Sequence, residues 1–309
     1  MGQTLARITA GTYDRQVQTR QVVPAVTSTL VAVLAGGLAV VGARGAAHGQ
    51  TLSGHVAFDL AIQNRRELGI MTATGTGLRT FAFGALSGSD PSLSPSGTQI
   101  VFVLDGLSGT HLARMTPGAE LAVLTSGRMN DTAPAWSPNG RTIAFVRNGG
   151  GRQRALCLIN PAERPRLRCP ARGALGGPAW SPNSAQLAFC ARGGLFALSL
   201  SPIRVHVLAR LVCQGAPAWS PDGKTIVVTR NVNGSAQLFA VDAGTGTSRQ
   251  LLSDAANDSE PAYSPDGAWI AFTSDRGGYD ALYRVSADGR QTLRLSPPGY
   301  DGANPSWSR

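Results

Sequence analysis

Apolar and polar positions alternate in short runs along this chain, a pattern typical of β-strands. Within residues 260–272, one such run ends at Tyr263 and a second carries Ile270 and Phe272, with the turn Ser-Pro-Asp-Gly between them. Proline at the second turn position fixes φ, aspartate bonds the nearby backbone, and Gly267 can adopt the left-handed conformation. The stretch therefore predicts a β-hairpin that is closed by a three-residue loop.

The same motif recurs along almost the whole chain, with leading prolines 43, 44, 39, 44 and 44 residues apart. These prolines are Pro91, Pro134, Pro178, Pro217, Pro261 and Pro305. A period near 40 to 45 residues is that of a four-stranded propeller blade. Five copies continue into a second apolar strand, whereas the sixth reaches Arg309 without one, and an unpartnered strand of that type, Val56-Ala-Phe58, opens the repeats. The sequence predicts an all-β fold: a six-bladed β-propeller of four-stranded antiparallel blades, closed by pairing of the C-terminal and N-terminal strands.

Each repeat has room for two further strands after its hairpin. Residues 236–241 and 247–252 form one such pair and 68–73 begin another. Both sets contain a Gly-Thr-Gly triplet, but no helix follows whose N-terminus could bind a phosphate. The triplets are therefore predicted to be turns.

The region before the repeats divides into three segments. Residues 1–21 are polar and basic, 22–42 contain no charged residue, and 43–53 form a linker to the propeller at 54–309. The uncharged segment predicts one hydrophobic helix, either an uncleaved signal anchor or part of a cleaved signal peptide, with a buried globular helix as a third interpretation. Arginines before it favour an N-terminus that stays inside. We therefore expect an exported propeller, periplasmic or extracellular, that is anchored to the cytoplasmic membrane if the segment is retained.

Four cysteines lie within two neighbouring repeats, and an even number in an exported domain is consistent with disulfides. Cys157 and Cys169 fall on the two arms of a predicted hairpin, which leaves Cys190 and Cys213 to pair with each other. Four half-buried free thiols are the alternative. The spacings are not those of a zinc site.

The repeats resemble those of the TolB-like β-propeller family. Residues 261–272 match the family motif Pro-x-Trp-Ser-Pro-Asp-Gly-x-x-Ile-Ala-Phe, and Arg276 and the turn Asp288-Gly289 follow as that motif continues. The repeat at Pro178 departs from it with Ser184 in place of glycine, and Leu93 stands where other copies have Trp or Tyr. The chain has no room before the propeller for the separate α/β domain of TolB itself. The resemblance implies a non-enzymatic protein-interaction or ligand-binding propeller of the bacterial cell envelope.

The formal charge of +10 is concentrated in one third of the predicted ring. Residues 132–213 hold eleven arginines against Glu163 alone. The candidate anion-binding sector comprises Arg141, Arg147, Arg152, Arg154, Arg164, Arg166, Arg168 and Arg172, with Arg192, Arg204 and Arg210 beyond it. A sector of this sign attracts an acidic protein face, anionic lipid headgroups or an anionic polymer. Nucleic acid is not favoured, because the domain is predicted to be exported and few aromatic residues interleave with the arginines. Alternatively, the arginines only keep edge strands soluble.

No catalytic motif is present: Gly-x-Ser-x-Gly and His-Glu-x-x-His are both absent, and the four histidines are far apart in sequence. We expect no cofactor. Acidic residues near the hairpin starts could nevertheless converge at the channel mouth and hold a calcium ion. They are Asp90, Asp131, Asp258, Glu260 and Asp301. The alternatives to a binding propeller are a polysaccharide-acting lyase or hydrolase and a membrane-anchored extracellular sensor.

One repeat position is aromatic in five copies, at Trp136, Trp180, Trp219, Tyr263 and Trp307. Large rings at one repeat position are expected to pack between blades. A ligand-binding ring of aromatic side chains around the channel is the alternative.

Overall fold

Six four-stranded antiparallel sheets make up the propeller, each a meander in the strand order inner, second, third and outer. The computed structural model describes residues 54–62, 65–106, 109–117, 121–149, 154–161, 166–174 and 176–308, together with the backbone of 31–34 and 37–40. The ring architecture predicted from the repeats is confirmed.

We number the blades 1 to 6 in the order of their inner strands. The inner strands are Ser87–Leu93, Asn130–Trp136, Ala179–Trp180, Gln214–Trp219, Asp258–Tyr263 and Asp301–Trp307. The second strands are Ile100–Gly106, Ile143–Asn148, Gln186–Ala191, Thr225–Val232, Trp269–Ser274 and His55–Ile62. The third strands are Gly109–Met115, Ala155–Ile159, Gly194–Leu200, Ser235–Asp242, Ala281–Ser286 and Arg65–Thr72. The outer strands are Ala122–Val123, Leu167–Arg172, Ile203–Ala209, Ser248–Gln250, Thr292–Arg294 and Arg79–Phe81.

Blade 6 joins the C-terminal and N-terminal strands of the propeller, as predicted. Its inner strand pairs antiparallel with the second strand, Trp307 opposite Val56 and Asp301 opposite Ala61. The His55 amide also donates to the Ser308 hydroxyl at 2.9 Å. This pairing seals the ring, because it leaves no inner strand without a partner.

The repeated hairpin turn is held by its serine and acidic residue. The Trp269 amide donates to Ser264 Oγ at 2.9 Å, and the Ala268 amide donates to Asp266 Oδ1 at 3.0 Å. Gly267 has a φ of 72°, which is left-handed as predicted. The prediction of a three-residue loop is wrong. The Ser264 amide donates to the Trp269 carbonyl, so the loop between the last paired positions has the four residues 265–268.

The core lies between the blades and is built mainly from the second and third strands. The repeat phenylalanine of the second strand is fully or almost fully buried in five blades. These residues are Phe58, Phe102, Phe145, Phe189 and Phe272. Burying large side chains of this kind supplies most of the favourable free energy of a fold.

One predicted strand needs correction, whereas the predicted turns are confirmed. The outer strand predicted at 247–252 ends at Gln250, because Leu251 and Leu252 leave the sheet and bury their side chains. The Gly-Thr-Gly triplets are turns as predicted, with positive φ at Gly75, Gly77 and Gly246.

The N-terminal helix prediction is wrong for the part of 22–42 that the structure describes. Val31–Leu34 and Gly37–Val40 pair as two antiparallel strands. Valine favours extended backbone, so local preference outweighs hydrophobic length in these two strands. The remainder of 22–42, the basic segment 1–21 and the linker 43–53 lie outside the described residues. Among described residues, no helix is long and apolar enough to span a membrane.

Candidate functional site

A bulge interrupts the inner strands next to the repeat proline. The pairing register shifts between Ser259 and Ala262 in blade 5, and the inner strands of blades 1, 2, 4 and 6 shift in the same region. The residue before the proline has a positive φ at Asp90, Ala133, Glu260 and Asn304, between 49° and 57°. Bulges redirect side chains, and positive φ in a non-glycine residue is seldom adopted without a structural or functional reason.

These redirected residues surround a cavity of about 430 Å³ on the propeller axis. We call it the axial cavity, and its open end, beside the Ser-Pro-Asx-Gly turns, the channel mouth. Polar side chains come from three consecutive blades: Glu260, Asn304 and Asp90. The facing three blades contribute Ala133, Gly177 and Ala216. The cavity is therefore polar along one arc and small and apolar along the other.

Asn304 connects the polar arc across the seam of the ring. Its Nδ2 donates to Asp90 Oδ1 at 3.0 Å and to Asp59 Oδ2 at 2.8 Å. Its backbone amide donates to Glu260 Oε2 at 2.9 Å, an oxygen that also accepts the Thr273 hydroxyl at 2.7 Å. One residue of the last strand thus orients three carboxyl groups.

Asp59 lies behind the arc and was not predicted from the sequence. Its Oδ1 accepts the Asp90 amide at 2.7 Å, and Arg66 approaches its other oxygen at 3.8 Å. In the repeat, its position is occupied by Val103 in blade 1 and Thr273 in blade 5. A charged residue within the otherwise apolar run 56–60 was the available signal.

Asp59 and the two carboxyl groups of the arc, Asp90 and Glu260, all resist ionisation. Burial raises the pKa of Asp59 well above its ordinary value, and the neighbouring Asp90 carboxylate raises it further. Burial likewise raises the pKa of Asp90 and the pKa of Glu260. Removing solvent from a carboxylate disfavours its charged form, and a nearby positive charge favours that form again. A cation bound in the cavity would therefore interact with these carboxylates where water does not.

The arc of small residues, Ala133, Gly177 and Ala216, which we call the small arc, leaves no space for larger side chains at Gly177. A β-carbon added to Gly177 would lie 2.7 Å from the Ala133 β-carbon and 3.1 Å from that of Ala216. Such distances are shorter than ordinary van der Waals contact, so the backbones of blades 2, 3 and 4 converge closely here. This side of the cavity offers a close-packed apolar wall.

The other carboxylates predicted to converge do not join the arc. Asp131 is fully buried and makes a bidentate pair with Arg147, both bonds 2.7 Å long. Asp258 pairs with Arg276 at 2.8 Å, and Asp301 is exposed. Within the described residues, no group of three or more His, Cys, Asp or Glu side chains could hold a metal ion. Calcium therefore stays a sequence prediction.

The arginine sector is divided between the two ends of its blade. Arg147 and Arg172 lie in one row with Ala155, near the end opposite the channel mouth, and Arg154 adjoins that row. Arg141, Arg166 and Arg168 lie toward the channel mouth, as the direction of their strands requires. Arg152 and Arg164 lie outside the described residues. The structure thus separates residues that the sequence grouped as one sector, and Arg147 is already paired.

Both cysteine pairs are disulfides in the structure. Cys157 is bonded to Cys169 between the third and outer strands of blade 2. Cys190 is bonded to Cys213 and links the second strand of blade 3 to the segment before blade 4. Free thiols, the alternative, are not found among the described cysteines.

The repeat aromatics pack between blades and also line the axial cavity. Trp180 Nε1 donates to the Ala135 carbonyl of the preceding blade, and Trp307 Nε1 donates in the same way to the Ala262 carbonyl, both at 3.0 Å. The rings are buried or half-buried and border the cavity. Their structural role is therefore visible, and their edges form part of the cavity wall.

A closed ring of six four-stranded blades around an axial cavity defines this protein as a six-bladed β-propeller. Residues 177–309 match the family described as the TolB beta propeller domain, which confirms the resemblance of the repeats to TolB-like propellers.

Solved structures share the propeller fold. TolB from Acinetobacter baumannii is similar, with a TM-score of 0.74 and 21% identity, over 84% of this chain and 67% of that chain. The protein assigned as TolB in Agrobacterium tumefaciens has a TM-score of 0.62 and 18% identity, over 78% and 88% of the two chains. An oligogalacturonate lyase in complex with manganese has a TM-score of 0.57 and 16% identity, over 80% and 74%. At these identities the likeness is one of fold. No curated protein sequence matches the chain.

Proposed function

We propose that this protein is a non-enzymatic interaction propeller of the bacterial cell envelope. In this proposal, an extended segment of an envelope protein enters the channel mouth and a cationic group of that segment reaches the polar arc. The observation that carries the proposal is the division of the axial cavity into an arc of Glu260, Asn304 and Asp90 and a facing arc of small residues.

The dimensions and chemistry of the axial cavity support a peptide as its occupant. A volume of about 430 Å³ is within the range of ligand sites, and prolines and aromatic edges supply an apolar rim. The polar arc adds a few fixed acceptors at depth, which is how such sites orient a ligand. A lysine side chain or an amino terminus satisfies both features, because each joins an apolar stem or backbone to a positive charge.

Export is part of the same proposal. Two disulfides in one domain are typical of proteins that fold in an oxidising compartment. The TolB-like assignment of 177–309 is consistent with an envelope role. Mass spectrometry of the protein isolated from membranes tests this directly: a mass that retains 1–42 supports an anchor, and a reduced protein confined to the cytoplasm contradicts export.

Calorimetric titration with designed peptides tests the axial site. The probes are a short capped peptide with one central lysine between prolines and two variants that carry glutamine or glutamate there. We expect the full chain to prefer the lysine peptide by about tenfold or more. The double variant Asp90→Asn/Glu260→Gln should lose that preference, whereas Asp288→Asn, an exposed turn residue, should keep it. Equal affinity for lysine and glutamine peptides would contradict the proposal.

A lyase or hydrolase acting on polysaccharide is the competing class, and one fold neighbour is an oligogalacturonate lyase with manganese. The test is incubation of the full chain with oligogalacturonate, with and without Mn²⁺, followed by product analysis. The proposal expects no turnover above a blank. Turnover that Glu260→Gln abolishes would replace the binding function with an enzymatic one.

A further inference from the structure

The outer strands of the six blades differ in length. Four of the six, as described by the structure, have only two or three residues: Arg79–Phe81, Ala122–Val123, Ser248–Gln250 and Thr292–Arg294. Blade 2 has six in Leu167–Arg172, and blade 3 has seven in Ile203–Ala209. A very short edge strand protects a sheet against pairing with other chains. Blade 3 lacks this protection.

The long outer strand of blade 3 also carries an exposed apolar face. Ile203, Val205 and Val207 are 54%, 45% and 42% exposed. They alternate along the strand with Arg204 and His206, which are exposed as well. No described strand pairs with the outer edge of Ile203–Ala209. Three exposed β-branched side chains on one face of such an edge strand form an unusual surface patch.

The apolar face continues the core between blades 2 and 3. Val205 pairs across the sheet with Leu198 and Val207 pairs with Phe196. Leu198 is buried in the cluster that joins the two blades, and Phe196 packs against it. The exposed stripe therefore extends an existing interblade core toward solvent.

Two arginines lie near the exposed apolar face of Ile203–Ala209. Arg204 lies on the opposite face of the same strand, where it pairs with Ser199. On blade 2, Arg168 pairs with Leu158, whose side chain packs in the same interblade cluster. Arg168 thus lies on the wall that faces blade 3. Neither arginine makes a salt bridge with a described residue.

We propose that Ile203–Ala209 is a second docking site, which pairs with an extended segment of another protein in which apolar and acidic residues alternate. The free edge of the strand supplies backbone donors and acceptors, as in other cases of strand addition. Apolar residues of the segment pack beside Ile203, Val205 and Val207, and its acidic residues fall on the face of Arg204. The site does not depend on the axial cavity.

A second copy of this chain is a poorer occupant of the same edge. The strand Ile203–Ala209 contains no Asp or Glu, so its own copy offers Arg204 no carboxylate. Opposite charges placed across a strand pair stabilise it, and a basic strand paired with itself has none. The charge pattern thus selects an acidic partner.

The test uses the full chain and a short capped peptide in which Val or Ile alternates with Glu, with binding followed by fluorescence anisotropy. We expect Val205→Thr/Val207→Thr, which keeps β-branched side chains of similar size, to weaken binding about tenfold or more. Arg204→Gln should weaken it in the same direction. Leu293→Thr, on the short outer strand of blade 5, is the matched control and should bind like the unsubstituted protein.

Backbone pairing needs its own control. A peptide of the same sequence, N-methylated at every second residue, keeps its charges and side chains but loses donors along one edge, and we expect it not to bind. Hydrogen exchange should slow at 203–209 in the complex with the unmethylated peptide. Equal binding of the methylated peptide, or full affinity of the doubly substituted protein, would overturn the proposal. So would self-association, or binding to anionic vesicles, that requires Val205 and Val207 while the peptide does not bind.

Discussion

Asn304 and Asp90 are hydrogen-bonded across the seam of the ring, with Nδ2 3.0 Å from Oδ1, although 214 residues separate them in sequence. The same amide reaches Asp59, so the last strand of the chain orders carboxyl groups of blades 6 and 1. The strand that closes the ring therefore also positions the carboxyl groups at the axial cavity. A substitution that weakens ring closure is expected to disturb the cavity, and the reverse is expected as well.

Replacing Asn304 with glycine isolates this connection. Glycine adopts the positive φ of Asn304 without strain, so the variant removes the amide donor and leaves the backbone preference intact. We expect a loss of about 1–3 kcal/mol in the free energy of unfolding, because Asp59 and Asp90 each lose a donor in a buried site. Urea unfolding measures it. Stability equal to that of the unsubstituted protein would show that the amide does not organise the arc.

Arg147→Ala should be among the more damaging single substitutions in blade 2. It leaves the fully buried Asp131 carboxylate without its bidentate partner, a change that typically costs about 3–5 kcal/mol. Thermal unfolding measures the loss, with Arg290→Ala as an exposed control that should have no measurable effect. If Asp131→Asn combined with Arg147→Ala were no more stable than Arg147→Ala alone, the unpaired charge would not be the cause.

The polar arc should make stability depend on pH in a defined direction. Burial raises the pKa of Glu260, so its contribution relative to a neutral isostere is present below the unfolded pKa, about 4, and is lost as pH rises through the folded pKa. We expect Glu260→Gln to be more stable than the unsubstituted protein at pH 7 and the difference to shrink toward pH 4. Urea unfolding of both proteins across this range provides the measurement. A difference that grows on acidification would contradict the assignment.

The two disulfides should stabilise blades 2 and 3 separately. They close loops of sequence separation 12 and 23, for which chain entropy gives a stabilisation of about 3 kcal/mol each. We expect Cys157→Ser/Cys169→Ser and Cys190→Ser/Cys213→Ser each to lower the melting temperature, and the two losses to be nearly additive. Calorimetry of the two double variants and their combination measures this. Unchanged melting temperatures in both would show that the bonds do not constrain the folded domain.

Much of the fold could be predicted because one hairpin motif recurs along the sequence. The motif around Tyr263 and Gly267 specifies a hairpin locally, and its recurrence at a blade-sized interval sets the ring and its closure. The disulfide Cys157–Cys169 followed from the same logic, since the two residues occupy facing arms of one hairpin.

The axial site could be predicted only in part. Asp90 and Glu260 were found by their place before the repeat proline, but Asp131 and Asp258 were grouped with them and instead pair with arginines. The bulge decides this difference, because it turns one residue toward the axis and leaves its neighbour two positions earlier in the blade. The spacing of residues along the sequence does not show in which direction the bulge turns each side chain. Nor does it show the hydrogen bonds of Asn304, which depend on contacts between opposite ends of the chain.

Site-specific photo-cross-linking in cells that express the protein tests most directly whether a protein partner enters the axial cavity. A benzophenone amino acid replaces Tyr263, a half-buried aromatic residue that borders the axial cavity, or Ala255, an exposed residue of a loop outside the cavity. We expect one discrete adduct with another protein from position 263, none from position 255, and loss of the adduct when Asp90→Asn/Glu260→Gln is added. Absence of an adduct at 263, or the same adduct from both positions, would contradict binding at the channel mouth.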